Sequence, residues 1–219
     1  MVANYKSVFD IIGPIMIGPS SSHTAGAVAI GRAANKVFNG LPEKITVHYY
    51  ESFAQTHKGH GTDYAIISGI LGFNPDDSRV PDAINTAKSK GMTVKFIEEK
   101  EDSPINHPNT AIINLQSIDK EITLAGCSIG GGTIEVRGIK MDGFDIKPQG
   151  PLPIVLIKGN STDKKIAEEK LNKLTQIHKF NRYSSSNKQK QMFEYDLSRQ
   201  LRVDEVAKLS NKLPELIYL

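Results

Sequence analysis

The sequence predicts an α+β fold in two parts. Up to about residue 146, helix-patterned stretches alternate with short strands rich in β-branched residues. A Pro-rich break, Lys147-Pro148-Gln149-Gly150-Pro151-Leu152-Pro153, then interrupts the pattern. Beyond it the order is strand, helix, strand, strand, helix, strand, which is the ferredoxin-like split βαβ order. The expected domains are residues 1–148 and 152–219 of a 219-residue chain, a length that accommodates both.

Taken in order, Tyr5 to Ile12 reads as a short helix, with Val8, Phe9, Ile11 and Ile12 apolar. Ala27, Ile30, Gly31, Ala34 and Phe38 share one face of a longer helix that ends at Asn39-Gly40, a C-cap pair. Ile45 to Tyr50 alternates as a strand. Tyr64 to Leu71 is helical in pattern, and Thr62 or Asp63 is its expected cap. Ser78 to Gly91 reads as a helix with Pro81 in its first turn, where proline is tolerated. Met92 to Glu98 is a strand. Ile122–Ser128 and Thr133–Ile139 are strands around Gly130-Gly131-Gly132, which fits either a hairpin or a pocket wall. In the second part the strands are Ile154–Lys158, Gln176–Tyr183, Gln191–Leu197 and Leu216–Leu219. The helices are Asp163–Leu174, with Ala167, Leu171 and Leu174 on one face, and Val203–Leu213, with Val203, Val206 and Leu213 inward.

Two polar stretches exceed what structure alone needs. Ser20-Ser21-Ser22-His23-Thr24 stands between Gly18-Pro19 and a helix. One helix cap needs one serine, and here three serines and a histidine follow one another. The unpaired N–H groups and positive dipole end of a first turn suit an anion, so this is a candidate cradle for a small carboxylate or phosphate. A plain cluster of caps and turns fits the same spacing. The second stretch, Thr56-His57-Lys58-Gly59-His60-Gly61-Thr62-Asp63, gathers two histidines and a lysine before a helix. Histidine is the usual general acid or base near neutral pH, and glycines admit close backbone approach. A Gly-rich turn with solvated basic residues is the alternative. His107 and Asn109, in Asn106-His107-Pro108-Asn109-Thr110, fit turn chemistry equally well.

Composition narrows the class. Hydrophobic residues are 39% and charged residues 23%, ordinary for a globular protein. The net charge of +3 and the lack of tryptophan argue against nucleic acid. Ile11-Ile12-Gly13-Pro14-Ile15-Met16-Ile17 is short, broken by Gly-Pro and without a basic flank, so it predicts neither a signal peptide nor a membrane span. A cytoplasmic protein is the expectation. The single cysteine, Cys127, can form no internal disulfide and cannot alone hold an iron–sulfur cluster, and it reads as a small buried apolar residue.

Gly18-Pro19-Ser20-Ser21-Ser22-His23-Thr24 with Lys58-Gly59-His60-Gly61-Thr62-Asp63 resembles the β part of bacterial iron–sulfur-dependent L-serine dehydratase. Ser128-Ile129-Gly130-Gly131-Gly132 and His107-Pro108-Asn109-Thr110 extend the likeness in the same order, over roughly residues 5–150. The resemblance implies β-elimination of L-serine to pyruvate and ammonia. It implies an α part that holds a [4Fe-4S] cluster through its cysteines, an iron site that acts as a Lewis acid, and a β part that contributes to the shared active site. It also implies a domain like the allosteric substrate-binding domain of some phosphoglycerate dehydrogenases, followed by an ACT-type module. On this likeness His60 is the base and His23 a second catalytic group. Ser20, Ser21, Ser22 and Thr24 hold the substrate carboxylate. Lys58, Gly61, Thr62, Asp63 and Asn109 complete substrate binding, and no metal ligand is expected from this chain.

Two departures stand out. His57 occupies a position where the family pattern has glycine, and Lys158-Gly159-Asn160 lacks the Asp-x-Pro-Gly of ligand-binding ACT domains. The expected partners are the α subunit, L-serine and a second copy of the chain, with neither nucleic acid nor membrane. The rival expectation is a stand-alone regulatory module that binds serine or a small phosphorylated acid without chemistry. A serine hydrolase is disfavoured, because no Gly-x-Ser-x-Gly elbow occurs.

Overall fold

The computed structural model describes residues 15–148, 150–186 and 190–219. The expected Tyr5–Ile12 helix lies outside the described residues. The chain divides into two compact units, one ending at Gly138 and the other beginning at Ile139.

In the first unit a π-helical turn, Ser21–Ala25, runs directly into α1, Gly26–Phe38. The strands are β1 (Lys44–Tyr50), β2 (Thr93–Glu98), β3 (Thr110–Gln116), β4 (Glu121–Gly130) and β5 (Thr133–Met141), the last running on across the division. Their order in the sheet is β2-β1-β3-β4-β5. β1 is parallel to β2 and antiparallel to β3, and β3 is antiparallel to β4. Gly131 and Gly132 join β4 to its neighbour β5 with φ of 60° and 79°. Positive φ at both central residues is what a tight hairpin turn demands, so this glycine run is a hairpin. Three more helices follow β1: α2 (Glu51–Thr56), α3 (Thr62–Ile70) and α4 (Ala83–Ser89).

Helix α1 is buried on more than its predicted face. Ala27, Ile30, Ala34 and Phe38 are joined in the core by Val28, Ala33 and Val37. It packs on β3 and β4 and also on α3, so only a narrow strip meets solvent. Asn39 closes it in the left-handed conformation, its N–H donating to the Asn35 carbonyl, as the Asn39-Gly40 pair predicts.

Several boundaries differ from expectation, each for a local reason. Gly61 precedes α3 with φ of 69°, and neither Thr62 nor Asp63 caps it through a side chain. The Ser78–Gly91 segment is a 3₁₀ turn at Val80–Asp82 followed by the short α4. Pro81 lies in that 3₁₀ turn, ahead of α4 rather than in its first turn. Helix α2 is too short to show a period, so the sequence passes from strand to loop without revealing it.

In the second unit the end of β5 pairs with β6 (Phe144–Ile146), a strand too short to read from sequence. Then come β7 (Ile154–Gly159), α5 (Ser161–Leu174), β8 (Ile177–Ser184), β9 (Gln191–Leu197), α6 (Val203–Ser210) and β10 (Leu216–Tyr218). These strands lie in the order β10-β7-β9-β8, each antiparallel to its neighbours. Asn160 and Asp163 cap α5 reciprocally, side chain to backbone in both directions. Val155, Ile157, Ala167, Leu171, Phe193, Tyr195, Leu209 and Leu213 form the core between sheet and helices, with Leu174 and Val206 packed on it. Val203, expected inward, is exposed. It opens α6, and the inward stripe begins one turn later at Val206.

The other face of this sheet buries charge. Glu194 is fully buried and accepts hydrogen bonds from Asn181 Nδ2 at 3.0 Å and Tyr183 Oη at 2.7 Å. Asp196, two residues along β9, keeps one buried oxygen without a partner among the described residues. Burial first, and then the neighbouring Glu194 charge, pushes the Asp196 carboxyl up to about 6. A carboxyl raised in the folded state stabilises below its ordinary value of 3.8 and loses that contribution as pH rises toward about 6. Asp196→Asn is therefore expected to raise stability at pH 8 by about 1 kcal/mol, after allowance for screening, and by little at pH 4. Urea unfolding at the two pH values measures the difference.

Candidate functional site

The topology gathers the four motifs at one end of the first unit's sheet. The C-terminal end of β1, the start of β3 and the end of β4 lie side by side because β3 is antiparallel to both. The chain leaves β1 through Glu51, at φ of 44°, and enters α2. Glu51 Oε1 accepts from the Ser103 N–H at 3.0 Å, and the Phe53 N–H donates to the Pro108 carbonyl at 3.3 Å. Helix α2 is thus fastened to the loop before β3.

Ser20 caps the π-helical turn, its Oγ accepting from the His23 N–H at 3.2 Å. The Thr24 and Ala25 N–H groups both turn to the Ser20 carbonyl. The Ser21 and Ser22 N–H groups open the turn, where no helical carbonyl precedes them. Ser22 Oγ lies 2.9 Å from His23 Nδ1 and 3.3 Å from Ser20 Oγ. Ser52 Oγ, on α2, lies 3.3 Å from His23 Nε2. Hydroxyls on both ring nitrogens and the Phe53 ring at 5.2 Å fix this imidazole. Burial, and then the His60 charge, lower its pKa, which favours the neutral imidazole.

His60 stands beside it, exposed, with ring centroids 4.9 Å apart. Its loop is closed by backbone bonds from His60 N–H to the Thr56 carbonyl and from Thr62 N–H to the His57 carbonyl, each 3.0 Å. Thr24, fully buried, donates its hydroxyl to the His60 carbonyl at 3.0 Å. The cradle turn and the histidine loop are therefore one hydrogen-bonded unit.

The remaining candidates surround this centre at different depths. Lys58 is exposed and its Nζ rests on Glu98 Oε1 at 2.7 Å. Lys58 first, then His57, hold the Glu98 carboxyl down at about 2. Asp63 bonds His57 Nδ1 at 2.6 Å. The Thr62 hydroxyl is buried without a partner among the described residues, and Gly61 abuts the Tyr64 ring so closely that a Cβ there would collide with it. Asn109 exchanges contacts with Ser128: Ser128 N–H donates to the Asn109 carbonyl at 3.0 Å, and Asn109 Nδ2 to the Ser128 carbonyl at 3.4 Å. Ser128 in turn presses on Gly26, where a Cβ would stand 2.7 Å from Ser128 Cβ. Burial, and then Arg137, lower the His107 pKa, and His107 Nδ1 accepts from the Asn109 N–H. That local bond is turn chemistry.

Ser52, Phe53 and Glu98 were not singled out in the sequence. Ser52 and Phe53 sit on the unread helix α2, and Glu98 comes from a strand end 41 positions from His57. Among the described residues no three His, Cys, Asp or Glu side chains gather as a metal ion requires. Cys127 is buried, and burial pushes its thiol up, away from the thiolate a cluster needs. The residues here do not fit an iron–sulfur ligand set. Among the described residues no helix is long and apolar enough to cross a membrane.

Comparison with known proteins adds an independent line. The model of the family described as "Serine dehydratase beta chain" matches residues 7–138. The chain is 51% identical over 156 residues to a protein of Bacillus subtilis named "Probable L-serine dehydratase, beta chain", covering 71% of this chain and 69% of that one. It is 37% identical over 153 residues to the "L-serine dehydratase, beta chain" of Peptoniphilus asaccharolyticus, covering 69% and 68%. It is 30% identical over 152 residues to the "L-serine dehydratase" of Streptomyces coelicolor, covering 58% of this chain and 33% of that longer protein.

Proposed function

Because the chain belongs to the serine dehydratase beta chain family and is a beta subunit of L-serine dehydratase, we propose that it carries the proton-abstracting half of the active site. One observation carries this reading. The imidazole of His60 lies against that of His23 directly beside the Ser20–Ser22 hydroxyls, at 4.9 Å between rings. The reaction is β-elimination of L-serine to pyruvate and ammonia. Ser20, Ser21 and Ser22, with the open N–H groups of their turn, bind the substrate carboxylate. Cα–H is a poor acid, so its removal requires a base held within hydrogen-bond reach. His60 is that base. It takes the Cα proton, the Cα–Cβ double bond forms as the Cβ–O bond breaks, and the β-hydroxyl departs as water with the proton returned by the His60 imidazolium. The aminoacrylate that remains tautomerises and hydrolyses to pyruvate and ammonia. His23 is fixed between Ser22 and Ser52, and by donating its one N–H to one of these hydroxyls it frees that hydroxyl's proton for the developing negative charge. Thr24 and Thr62 are fully buried and support the site from behind. Lys58, Gly61, Asp63 and Asn109 hold the surrounding loops.

The [4Fe-4S] cluster of this reading belongs to an α subunit, since the single cysteine here is buried. Residues 1–148 are then the dehydratase domain, and residues 152–219 an ACT-type regulatory module. The antiparallel order β10-β7-β9-β8 supports the latter. The test is anaerobic pyruvate formation from L-serine. The chain alone is expected to be inactive, and its mixture with an α subunit carrying a reconstituted cluster active. Serine binding without turnover in either preparation would instead favour the non-catalytic sensor.

A further inference from the structure

His57 is buried at 2% exposure, yet each of its ring nitrogens faces a carboxylate oxygen. Nδ1 lies 2.6 Å from Asp63 Oδ1, and Nε2 lies 2.8 Å from Glu98 Oε1. A neutral imidazole has one donor and one acceptor nitrogen, so it can satisfy only one of these partners. Both bonds form together when both nitrogens carry a proton, and both are then short and charge-assisted. The Tyr49 ring, at 4.8 Å, covers one side of the imidazole, and the Phe96 ring lies at 6.5 Å. Lys58 shares Glu98, so Lys58 and His57 together face the Asp63 and Glu98 carboxylates.

The placement of this cluster matters more than its charge. His57 follows the end of α2, Asp63 lies in the first turn of α3, and Glu98 ends β2. The His57–Asp63 bond, with the Thr62 N–H on the His57 carbonyl, ties together the two ends of the loop that presents His60. The same helix α2 carries Ser52 and Phe53 against His23. We propose that His57 is a positioning residue, a clasp between Asp63 and Glu98 that fixes the 58–62 loop and so the place of His60. The catalytic part of this inference rests on the base assignment made above for His60. The clasp itself does not.

Two readouts separate these. In the full-length chain, His57→Ala and Glu98→Ala are each expected to raise amide exchange at His60 and Thr62 by about tenfold, by opening the loop locally. Glu98 is half exposed, so its removal leaves no core cavity and keeps the test sound if His57→Ala folds poorly. In the assembled dehydratase each variant is expected to lower kcat about tenfold, because a displaced base loses its near-attack geometry. KM for serine should stay within about twofold, since the cradle is not touched. The double variant should lose no more than either single one, as expected for two residues acting through one contact. Unchanged exchange overturns the clasp, and additive losses or unchanged kcat overturn its positioning role. If the wild-type complex makes no pyruvate, the base assignment fails, and exchange alone decides the clasp.

Discussion

Replacing His60 by alanine is expected to lower pyruvate formation by the assembled enzyme about 10²–10⁴-fold, the usual contribution of a positioned general base. Assembly and thermal stability should be unchanged, because the His60 side chain is exposed, its ring tilted against that of His23 at 4.9 Å. His23 is a poor substitute despite its nearness. Its Nδ1 and Nε2 are both engaged by serine hydroxyls, and burial lowers its basicity. KM should change little, since the carboxylate contacts proposed above lie on the neighbouring turn. Single-turnover kinetics at saturating serine measure the effect directly. A kcat within about threefold of wild type would remove His60 from the base role.

The centre of this site was legible in the sequence because its residue types are out of place for structure alone. Ser20, Ser21 and Ser22 exceed a cap, and His57, Lys58 and His60 exceed a turn. The supports were not legible. Glu98 reads as the last residue of an ordinary strand, and only the parallel pairing of β2 with β1 brings it to His57. Ser52 lies on α2, six residues whose period cannot be recognised. Hydrogen-bond shifts such as the π-helical turn at Ser21–Ala25 leave no compositional trace. The same limit explains Val203, whose apolar character suits the stripe of α6 although its position at the helix start points it to solvent. The order of strands and helices, by contrast, follows from local patterning, with only boundary differences among the described residues outside α2, β3 and β6.

Gly69→Ala is expected to be among the most damaging single changes in the first unit, although alanine is the better helix former. In an exposed helix interior that exchange gains about 1 kcal/mol. Here α3 crosses α1 at Gly69 and Gly31. A Cβ on Gly69 would collide with the Val28 carbonyl and stand 2.7 Å from the Arg32 nitrogen. One on Gly31 would collide with the Ile66 carbonyl and stand 3.1 Å from Gly69 Cα. These obstacles are backbone atoms, which cannot turn aside as a side chain would. Relief requires the helices to separate, and both are buried along most of their length. Overpacking of this kind outweighs the propensity gain, and a net loss of about 3 kcal/mol or more is expected in urea unfolding. Function should suffer even in the fraction that folds. Helix α1 continues from the turn bearing Ser20–Thr24, and α3 begins where the His60 loop ends, so spreading them would strain the Thr24 bond to the His60 carbonyl. A Gly69→Ala variant within about 1 kcal/mol of wild type, with full activity in the complex, would mean that this crossing does not set the distance between the Ser20–Thr24 turn and His60.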